Sequence, residues 1–363
     1  MLIKMSSSVF SMDVLKPPIV NVGGRFYRKI LTSESRGCNE SEQAPYIEDE
    51  FTCDDGPCVI DDIKLIEQGY QIQINVPSAF YGYIIGKKGE TRKRIETETG
   101  ANIIIPKGQA NEVITIKSEV KKNVAAARDR INLLVESARR RQPFTHFLSI
   151  PLITPKITEA VNKFKTDVLK TCSQSEGLHE TMFQKSQHLH LTLGTMVLMN
   201  KHEVDKAINL LEKCRTSIIS AILHGEPLKV SLSGLEYMND DPAEVDVLYC
   251  KVQPTDNSNK LQLLVDSVAE QFINEGLMVR EYDHVKIHAT LINSLFNRDS
   301  ELGNHEKVYS KNQKIRKSFD ARVILEIFGD CNLSTCDLAE MHISIRGTKS
   351  TNYYCNEAVI TLC

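Results

Sequence analysis

From residue 69 onward, apolar and polar residues follow spacings that predict short strands and helices. The stretch YQIQINVP at 70–77 alternates with a period of two, which is typical of a half-buried strand. The stretch SAFYGYIIGKKGETRKRIETETG at 78–100 predicts a short helix, a Gly-Lys-Lys-Gly loop and a second helix. Two further strands, ANIIIPK and EVITIK, precede a helix at 120–141 with apolar residues at helical spacing. The predicted order is strand, helix, helix, strand, strand, helix.

After residue 143 the pattern changes to two units that resemble each other. In the first, THFLSIPL is a predicted strand, a helix follows, and HLHLTLGTMVLM at 188–199 is a second strand. In the other, VDVLYCKV, NKLQLLVDSVAEQFINEG and EYDHVKIHATLINS at 281–294 predict strand, helix and strand. From mid-strand, Leu148 to His190 is 42 residues and Tyr249 to His288 is 39 residues. Two units of similar length predict an internal duplication.

The last strand of each unit carries the same polar pair. His190 and Thr192 share one strand face, with Leu191 on the other. His288 and Thr290 repeat this arrangement in the second unit. A single histidine on a strand is more often a structural residue, but two at matched positions favour a shared catalytic site.

Three other histidines are weaker candidates. His188 and His284 share the predicted strand faces but lack a threonine two residues later, so we expect them at a polar rim. His342 in MHISIR has a serine at that spacing but no matching third unit around it, which favours a structural or peripheral role. The cleft lining is expected to include Met196, Tyr237, Ser294 and Arg346.

Two imidazoles and two hydroxyls suit phosphoryl chemistry. One imidazole can accept a proton from an attacking water or hydroxyl while the other protonates the leaving oxygen, and the reference pKa of about 6.5 suits both tasks. The threonine hydroxyls can donate hydrogen bonds to phosphate oxygens, where charge develops in the transition state. This chemistry requires neither a metal nor another cofactor. The sequence leaves open which histidine is the acid and which is the base.

Charge is unevenly distributed along the 363 residues, a length that suits two or three domains. Residues 34–62 hold ten acids and one arginine, whereas residues 71–142 hold fourteen Lys or Arg and seven acids, a net charge of +7. The basic segment favours a polyanionic partner. The ten cysteines form neither CxxC nor a zinc-site spacing, and neither a signal peptide nor a long apolar run is evident. We expect a soluble intracellular protein with reduced thiols and no membrane association.

The stretch IIGKKGETRKRIETETGANIIIP resembles the type I KH domain, and the element order agrees. Glycines at 86 and 89 allow backbone amides to approach phosphates, and the intervening lysines add positive charge. The resemblance implies that four unstacked nucleotides of single-stranded RNA lie between this loop and an apolar groove. The expected RNA-binding residues are Ile84, Ile85, Gly86, Lys87, Lys88, Gly89, Arg92, Ile103, Ile104 and Ile105. A KH fold that binds protein instead is the alternative.

Residues 144–363, with their two HxT motifs, resemble the two-histidine phosphoesterase superfamily, whose two pseudo-symmetric lobes each contribute one motif to a cleft. The expected fold class is α+β, a type I KH domain (β-α-α-β-β-α) followed by a bilobal two-histidine phosphoesterase domain. The expected divisions are a mostly flexible acidic region at 1–60, a KH domain at 61–142 and the phosphoesterase domain at 143–363. His190, Thr192, His288 and Thr290 would carry a metal-independent phosphodiesterase reaction on RNA ends or cyclic phosphates. The alternative is a non-catalytic adaptor whose C-terminal domain only binds nucleotide or RNA.

The pairing of these two domains, with ARRRQPFTHFL at their junction, resembles a family of subunits of helicase-containing transcription coactivator complexes. The resemblance implies a nuclear protein that works with a helicase subunit in transcriptional coactivation and in the repair of alkylation damage. It also suggests that MDVLKPPIVNVGGRFYRKI at 12–30 is a partner-binding segment, and a plain tail is the alternative.

Overall fold

The computed structural model describes residues 62–106, 113–297, 316–348 and 353–362, together with the backbone of 19–22 and 25–28. The chain divides into two compact units, 1–58 and 59–363. In the first unit, β1 (Ile19–Val22) and β2 (Arg25–Arg28) pair antiparallel, with Val22 opposite Arg25. These strands fall within the predicted partner-binding segment. The rest of that segment and the acidic stretch at 34–61 lie outside the described residues.

The second unit begins with a KH domain. Its elements are β3 (Lys64–Ile66), β4 (Gly69–Asn75), α1 (Tyr81–Ile85), α2 (Glu90–Thr99), β5 (Asn102–Ile104), β6 (Val113–Ser118) and α3 (Lys121–Arg139). The sheet is antiparallel in the order β3-β4-β6-β5. The predicted order from β4 to α3 is confirmed. The short hairpin strand β3 was not predicted, because KLI is too brief to show a periodicity.

The KH core lies between this sheet and its helices. Strand alternation buries Ile72, Ile114 and Ile116 on one sheet face, and the apolar positions of α3 pack on that face. Helix α2 ends at Gly100, which adopts φ 67° and donates its N–H to the carbonyl of Glu96. Burial therefore holds α3 on the sheet, and the glycine cap ends α2.

The C-terminal domain is built on one eight-stranded antiparallel sheet. Its strands are β7 (His146–Pro151), β8 (His190–Met196), β9 (Leu228–Tyr237), β10 (Val247–Pro254), β11 (Ala289–Asn293), β12 (Asn332–Leu338), β13 (Glu340–Ile345) and β14 (Asn356–Thr361). The sheet order is β12-β9-β10-β11-β8-β7-β13-β14. The two motif strands β8 and β11 are neighbours at the centre, and each has the other strand of its unit, β7 or β10, as its antiparallel partner on the outer side. The predicted bilobal arrangement is confirmed, with the lobes joined as halves of one sheet.

Helices cover one face of this sheet. They are α4 (Pro155–Thr171), α5 (Lys201–Cys214), α6 (Ser220–Leu223), α7 (Lys260–Asn274) and α8 (Arg322–Phe328), with a π-helical turn at Arg215–Ile219 between α5 and α6. Helix α4 starts where Thr154 Oγ1 accepts a hydrogen bond from the N–H of Ile157 at 3.3 Å, with Pro155 next to the cap. Its apolar face, including Val161 and Phe164, packs into the core. Among the helices described, none is long and apolar enough to cross a membrane.

The two domains meet directly within the second unit. Arg139, at the end of α3, forms hydrogen bonds with the carbonyl of Val197 and the carboxylate of Glu203, and its guanidinium lies 4.9 Å from the Phe80 ring centroid. Met199 of the C-terminal domain packs against the KH core. The contact between the two domains therefore combines a charged hydrogen-bonded group, at Arg139, with an apolar one, at Met199.

The predicted strand at 281–294 is wrong in its first half, since β11 begins only at Ala289. Helix α7 satisfies the backbone of Val285 with side chains: Asp266 accepts from its N–H at 2.8 Å and Gln262 donates to its carbonyl at 3.0 Å. Because both backbone groups already have partners, residues before 289 are not drawn into a ladder with β8. The alternating pattern that predicted the strand thus occurs partly in a loop.

A candidate two-histidine phosphoesterase site

The four motif residues come together at the centre of the sheet. Leu191 of β8 lies directly opposite Ala289 of β11, and both side chains are buried in the core. In antiparallel strands the neighbours of such a pair also face each other, so His190 is opposite Thr290. Thr192 and His288 follow this pair on the other side, where β8 and the segment before β11 separate, and both line the same cavity. All four half-buried side chains lie on the face opposite the core.

Both imidazoles are oriented in the same way. His190 Nδ1 donates to the carbonyl of His188 at 2.6 Å, and His288 Nδ1 donates to the carbonyl of Lys286 at 2.7 Å. A carbonyl only accepts, so Nδ1 carries the hydrogen in both rings. Each Nε2 is then the atom that can accept or return a proton. The two halves of the sheet thus repeat the hydrogen bond as well as the motif.

Burial lowers the pKa of both imidazoles. Desolvation is the largest cause that lowers the pKa of His190 to about 4; the bond to the His188 carbonyl opposes the shift, and the charges of His288 and His188 add to it. Desolvation also lowers the pKa of His288; the bond to the Lys286 carbonyl opposes this shift, and the Lys286 charge adds to it. Both imidazoles are therefore neutral at pH 7. An anionic phosphate between them would favour the protonated form, as an opposite charge does.

Aromatic rings surround each histidine. The His190 ring centroid lies 5.3 Å from Phe147, 5.6 Å from Tyr354 and 6.3 Å from Tyr353. The His288 ring lies 5.3 Å from Tyr249, whose hydroxyl donates to Glu236 at 2.8 Å. Sequence reasoning missed these residues as neighbours of the site. The register explains Tyr249, which pairs with Thr290 across β10 and β11, whereas the sequence around Tyr353 and Tyr354 shows no periodicity.

The weaker histidine candidates have distinct places. His188 stacks on Tyr354 at 4.5 Å and supplies the carbonyl that holds His190. His284 lies on the surface, with Nδ1 2.9 Å from Asp266. His342 is buried on β13, in the same cross-strand row as Ser149 and Thr192, and its Nε2 lies 2.9 Å from Glu340.

Buried hydroxyls continue the polar layer next to the site. Ser149 Oγ lies 3.0 Å from Ser344 Oγ and accepts a hydrogen bond from the Tyr353 hydroxyl at 3.0 Å. The His342 ring packs 5.3 Å from Tyr353 at nearly a right angle. His342 and Ser344, the HxS pair, therefore belong to a buried cluster beside the cleft, next to the ring that borders His190.

None of the four residues expected to line the cleft lines the cavity beside Thr192 and His288. Met196 is buried in the hydrophobic core, because the register shift between Leu148 and Ser149 reverses the alternation of β8 before Met196. Ser294 is also buried, and accepts a hydrogen bond from Arg316. Tyr237 is half-buried and packs against the core. Arg346 lies over the Phe144 ring at 4.4 Å.

The Gly-Lys-Lys-Gly loop of the KH domain has left-handed backbone at three positions. Gly86, Lys88 and Gly89 adopt φ values of 71°, 51° and 80°. A Cβ at Gly86 would lie 2.1 Å from Thr91 Oγ1, so only glycine fits there. Lys87 and Lys88 are exposed between the glycines. Arg92, on the next turn, forms a 3.6 Å ion pair with Glu96.

The apolar part of the expected RNA surface is smaller than the sequence suggested. Ile84 and Ile103 are buried in the KH core at 0% and 1% exposure, so neither can face a nucleotide. Ile85 and Ile104 are 37% and 46% exposed, and Ile105 is half-buried. The run of three isoleucines does not form one surface, because strand alternation turns its first member inward.

In the part of the chain that the structure describes, no group of three His, Cys, Asp or Glu side chains could hold a metal ion. The functional groups of the site are therefore imidazoles, hydroxyls and aromatic rings.

Comparisons with known proteins cover both domains. Residues 144–362 match the family model of the AKAP7 2'5' RNA ligase-like domain, and residues 71–133 match that of the KH domain. The chain is 40% identical over 341 residues to mouse activating signal cointegrator 1 complex subunit 1, covering 93% of this chain and 96% of the mouse protein.

Among solved structures, E. coli LigT complexed with 3'-AMP is similar at 12% identity, covering 61% of this chain and 98% of LigT, with a TM-score of 0.33. The first KH type I domain of human vigilin is similar at 24% identity, covering 20% of this chain and 78% of that domain, with a TM-score of 0.19.

Proposed function

Because this chain belongs to the family of activating signal cointegrator 1 complex subunit 1 and of AKAP7 2'5' RNA ligase-like domains, we propose that it is an RNA-binding phosphodiesterase. The KH domain holds single-stranded RNA. The two-histidine site then cleaves a phosphodiester at an RNA end or a cyclic phosphate. The observation that carries the proposal is the matched pair of imidazoles, each held through Nδ1 by a backbone carbonyl and each followed two residues later by a threonine, on segments that meet at Leu191 and Ala289.

In the proposed reaction, His190 is the base and His288 is the acid. His190 accepts through Nε2 the proton of the attacking water or hydroxyl, since its depressed pKa keeps it unprotonated. His288, protonated when the anionic substrate is bound, returns a proton to the departing oxygen. Thr192 and Thr290 donate hydrogen bonds to the non-bridging oxygens, where negative charge increases in the transition state. A metal ion has no part in these steps.

A panel of cyclic phosphates, oligoribonucleotides and oligodeoxynucleotides, assayed in chelator, tests the activity. The control is the double variant His190→Ala, His288→Ala, which removes both proton-transfer groups. We expect turnover of at least one ribonucleotide substrate by the natural chain and a loss of at least 100-fold in the variant. Equal turnover by both proteins would mean that the activity comes from a contaminant, and the proposed enzymatic function would be rejected.

The second candidate function is that of a non-catalytic adaptor. It is favoured by the strong desolvation of His190, whose pKa of about 4 makes it a weak base. An adaptor would bind nucleotides or RNA ends at the same residues without turning over any member of the panel. Titration of the same ligands by calorimetry, with the double variant as reference, separates binding without turnover from no binding.

We further propose that the chain acts in the nucleus as a subunit of the activating signal cointegrator complex, with the helicase subunit as its partner, in coactivation and alkylation repair. Identity of 40% across nearly the full length of a protein named as a subunit of that complex supports the assignment. The candidate docking segment is 12–30. Deletion of residues 1–60 should abolish co-purification with the helicase, and undiminished association would exclude this segment.

A further inference from the structure

The central sheet is split beside the two-histidine site. On its β11 side, β8 pairs at Leu191 with Ala289 and then again only at Met196, which bridges to Met278. Between these two pairings, β8 has four residues, 192–195, whereas the other segment has ten, 279–288. No ladder pairing forms between the two stretches, and the surplus length of the second bows away from β8.

This opening is held by defined contacts. Asp266 and Gln262 of α7 take both backbone groups of Val285, and Gln262 Nε2 also donates to Asp266 Oδ1 at 2.9 Å. On the other side, a Cβ at Gly194 would lie 2.6 Å from Met278 Sδ, so glycine allows the thioether to lie against β8. Both backbone groups of Val285, within the segment 279–288, therefore have hydrogen-bond partners on α7 and do not need partners on β8.

A cavity of about 190 Å³ lies between β8 and the segment 279–288. Ala269, Ile273 and Met278 give it an apolar floor, while Thr192, Lys286 and His288 stand at the side that adjoins the proposed phosphate position. An apolar cavity of roughly 150 Å³ holds a benzene ring, so the space suits one six-membered aromatic ring. The unpaired edge of β8 between 192 and 195 adds backbone donors and acceptors along one wall.

We propose that this cavity is the subsite for a nucleobase, a single-ring pyrimidine, of the nucleotide whose phosphate lies between the histidines. The assignment rests on the proposed function for the position of the phosphate. A pyrimidine has a flat apolar face for the floor and polar edges for the strand backbone. The Lys286 ammonium, 5.1 Å from the Tyr249 ring centroid, supplies positive charge near the attached phosphate.

The test follows the Met278 methyl signal by NMR in the natural chain; the ligands contain no phosphodiester, so binding is measured without turnover. Uridine and cytidine should shift the signal saturably, whereas ribose 5-phosphate should not. Shifts with ribose 5-phosphate alone, no shift with any nucleoside, or equal affinity for adenosine would overturn the assignment. Because nucleoside binding is measured without any reaction, a failed activity assay and a failed subsite give different results.

Two variants block the cavity in different ways. Ala269→Leu fills the buried floor, and Val279→Trp covers the rim from a position that is 54% exposed and tolerates a large side chain. Each should weaken uridine binding at least tenfold. The matched control Leu263→Ala, at a 52% exposed position of α7, should leave it unchanged. Unaltered uridine affinity in the well-folded Val279→Trp protein would contradict the proposed site.

Discussion

The two motif histidines, alike in sequence and in hydrogen bonding, differ in how strongly burial acts on them. Phe147, Tyr353 and Tyr354 surround His190, whereas Tyr249 is the ring beside His288. More surrounding apolar surface means a larger loss of hydration for the imidazolium. This difference in environment is what separates the two residues into proposed base and proposed acid.

Burial of His190 should make stability depend on pH. Its pKa is about 4 in the folded chain and about 6.5 when unfolded, so between these values the unfolded state binds a proton that the folded state does not. The free energy of unfolding should therefore fall as pH decreases from 6.5 to 4, by about 2 kcal/mol from this residue. Urea unfolding of the natural chain and of His190→Gln at pH 7 and 4.5 measures the difference. His202→Gln, at an exposed position of α5, is the control, and an unchanged pH slope in His190→Gln would contradict the shift.

The two lysines of the KH loop should contribute to RNA affinity mainly through charge. Lys87→Asp with Lys88→Asp should weaken single-stranded RNA binding at least tenfold and reduce its salt dependence, because fewer counterions are released. Lys121→Asp with Lys122→Asp makes the same charge change at the exposed start of α3. Filter binding at several salt concentrations should separate the two pairs. Equal losses would indicate a general effect of charge and no contact at the loop.

At the scale of elements, backbone conformation determines what the KH loop tolerates. Gly86→Ala would strain a residue at φ 71° and force Cβ against Thr91. We expect a loss of at least 1 kcal/mol in unfolding free energy together with weaker RNA binding. Gly82→Ala is the matched control, because a Cβ there meets no atom within 4 Å and its φ is ordinary. Thermal unfolding of both variants tests this, and a Gly86→Ala protein as stable as Gly82→Ala would refute the argument.

Elements also show where periodicity succeeds and where it fails. Helix α7 matches its pattern closely, because its apolar face lies in the core from Leu261 to Phe272. The stretch before Ala289 has an equally regular pattern, yet Asp266 and Gln262 hold it as a loop. Competition for backbone hydrogen bonds by distant side chains leaves no periodic trace in the sequence.

At the scale of the whole molecule, Arg139 joins the two domains. Its guanidinium is half-buried between Phe80, the carbonyl of Val197 and the Glu203 carboxylate. Removal of one partner of such a pair leaves the other charge poorly solvated. Arg139→Ala should therefore reduce the unfolding free energy by about 2 kcal/mol and separate the melting of the two domains. Calorimetry tests this against Arg140→Ala, at the exposed neighbouring position, and a single unchanged transition would show that the contact does not couple them.

The sequence by itself determined the two domains, the duplicated unit and the four motif residues, because strand and helix periods and the spacing of HxT are local properties. Tertiary structure alone decided that β8 and β11 are neighbours, that Leu191 faces Ala289, and that Ile84 and Ile103 are core residues. It also decided that the sheet opens beside Thr192. Register, burial and backbone partners arise between residues far apart in the chain, so no local pattern could specify them.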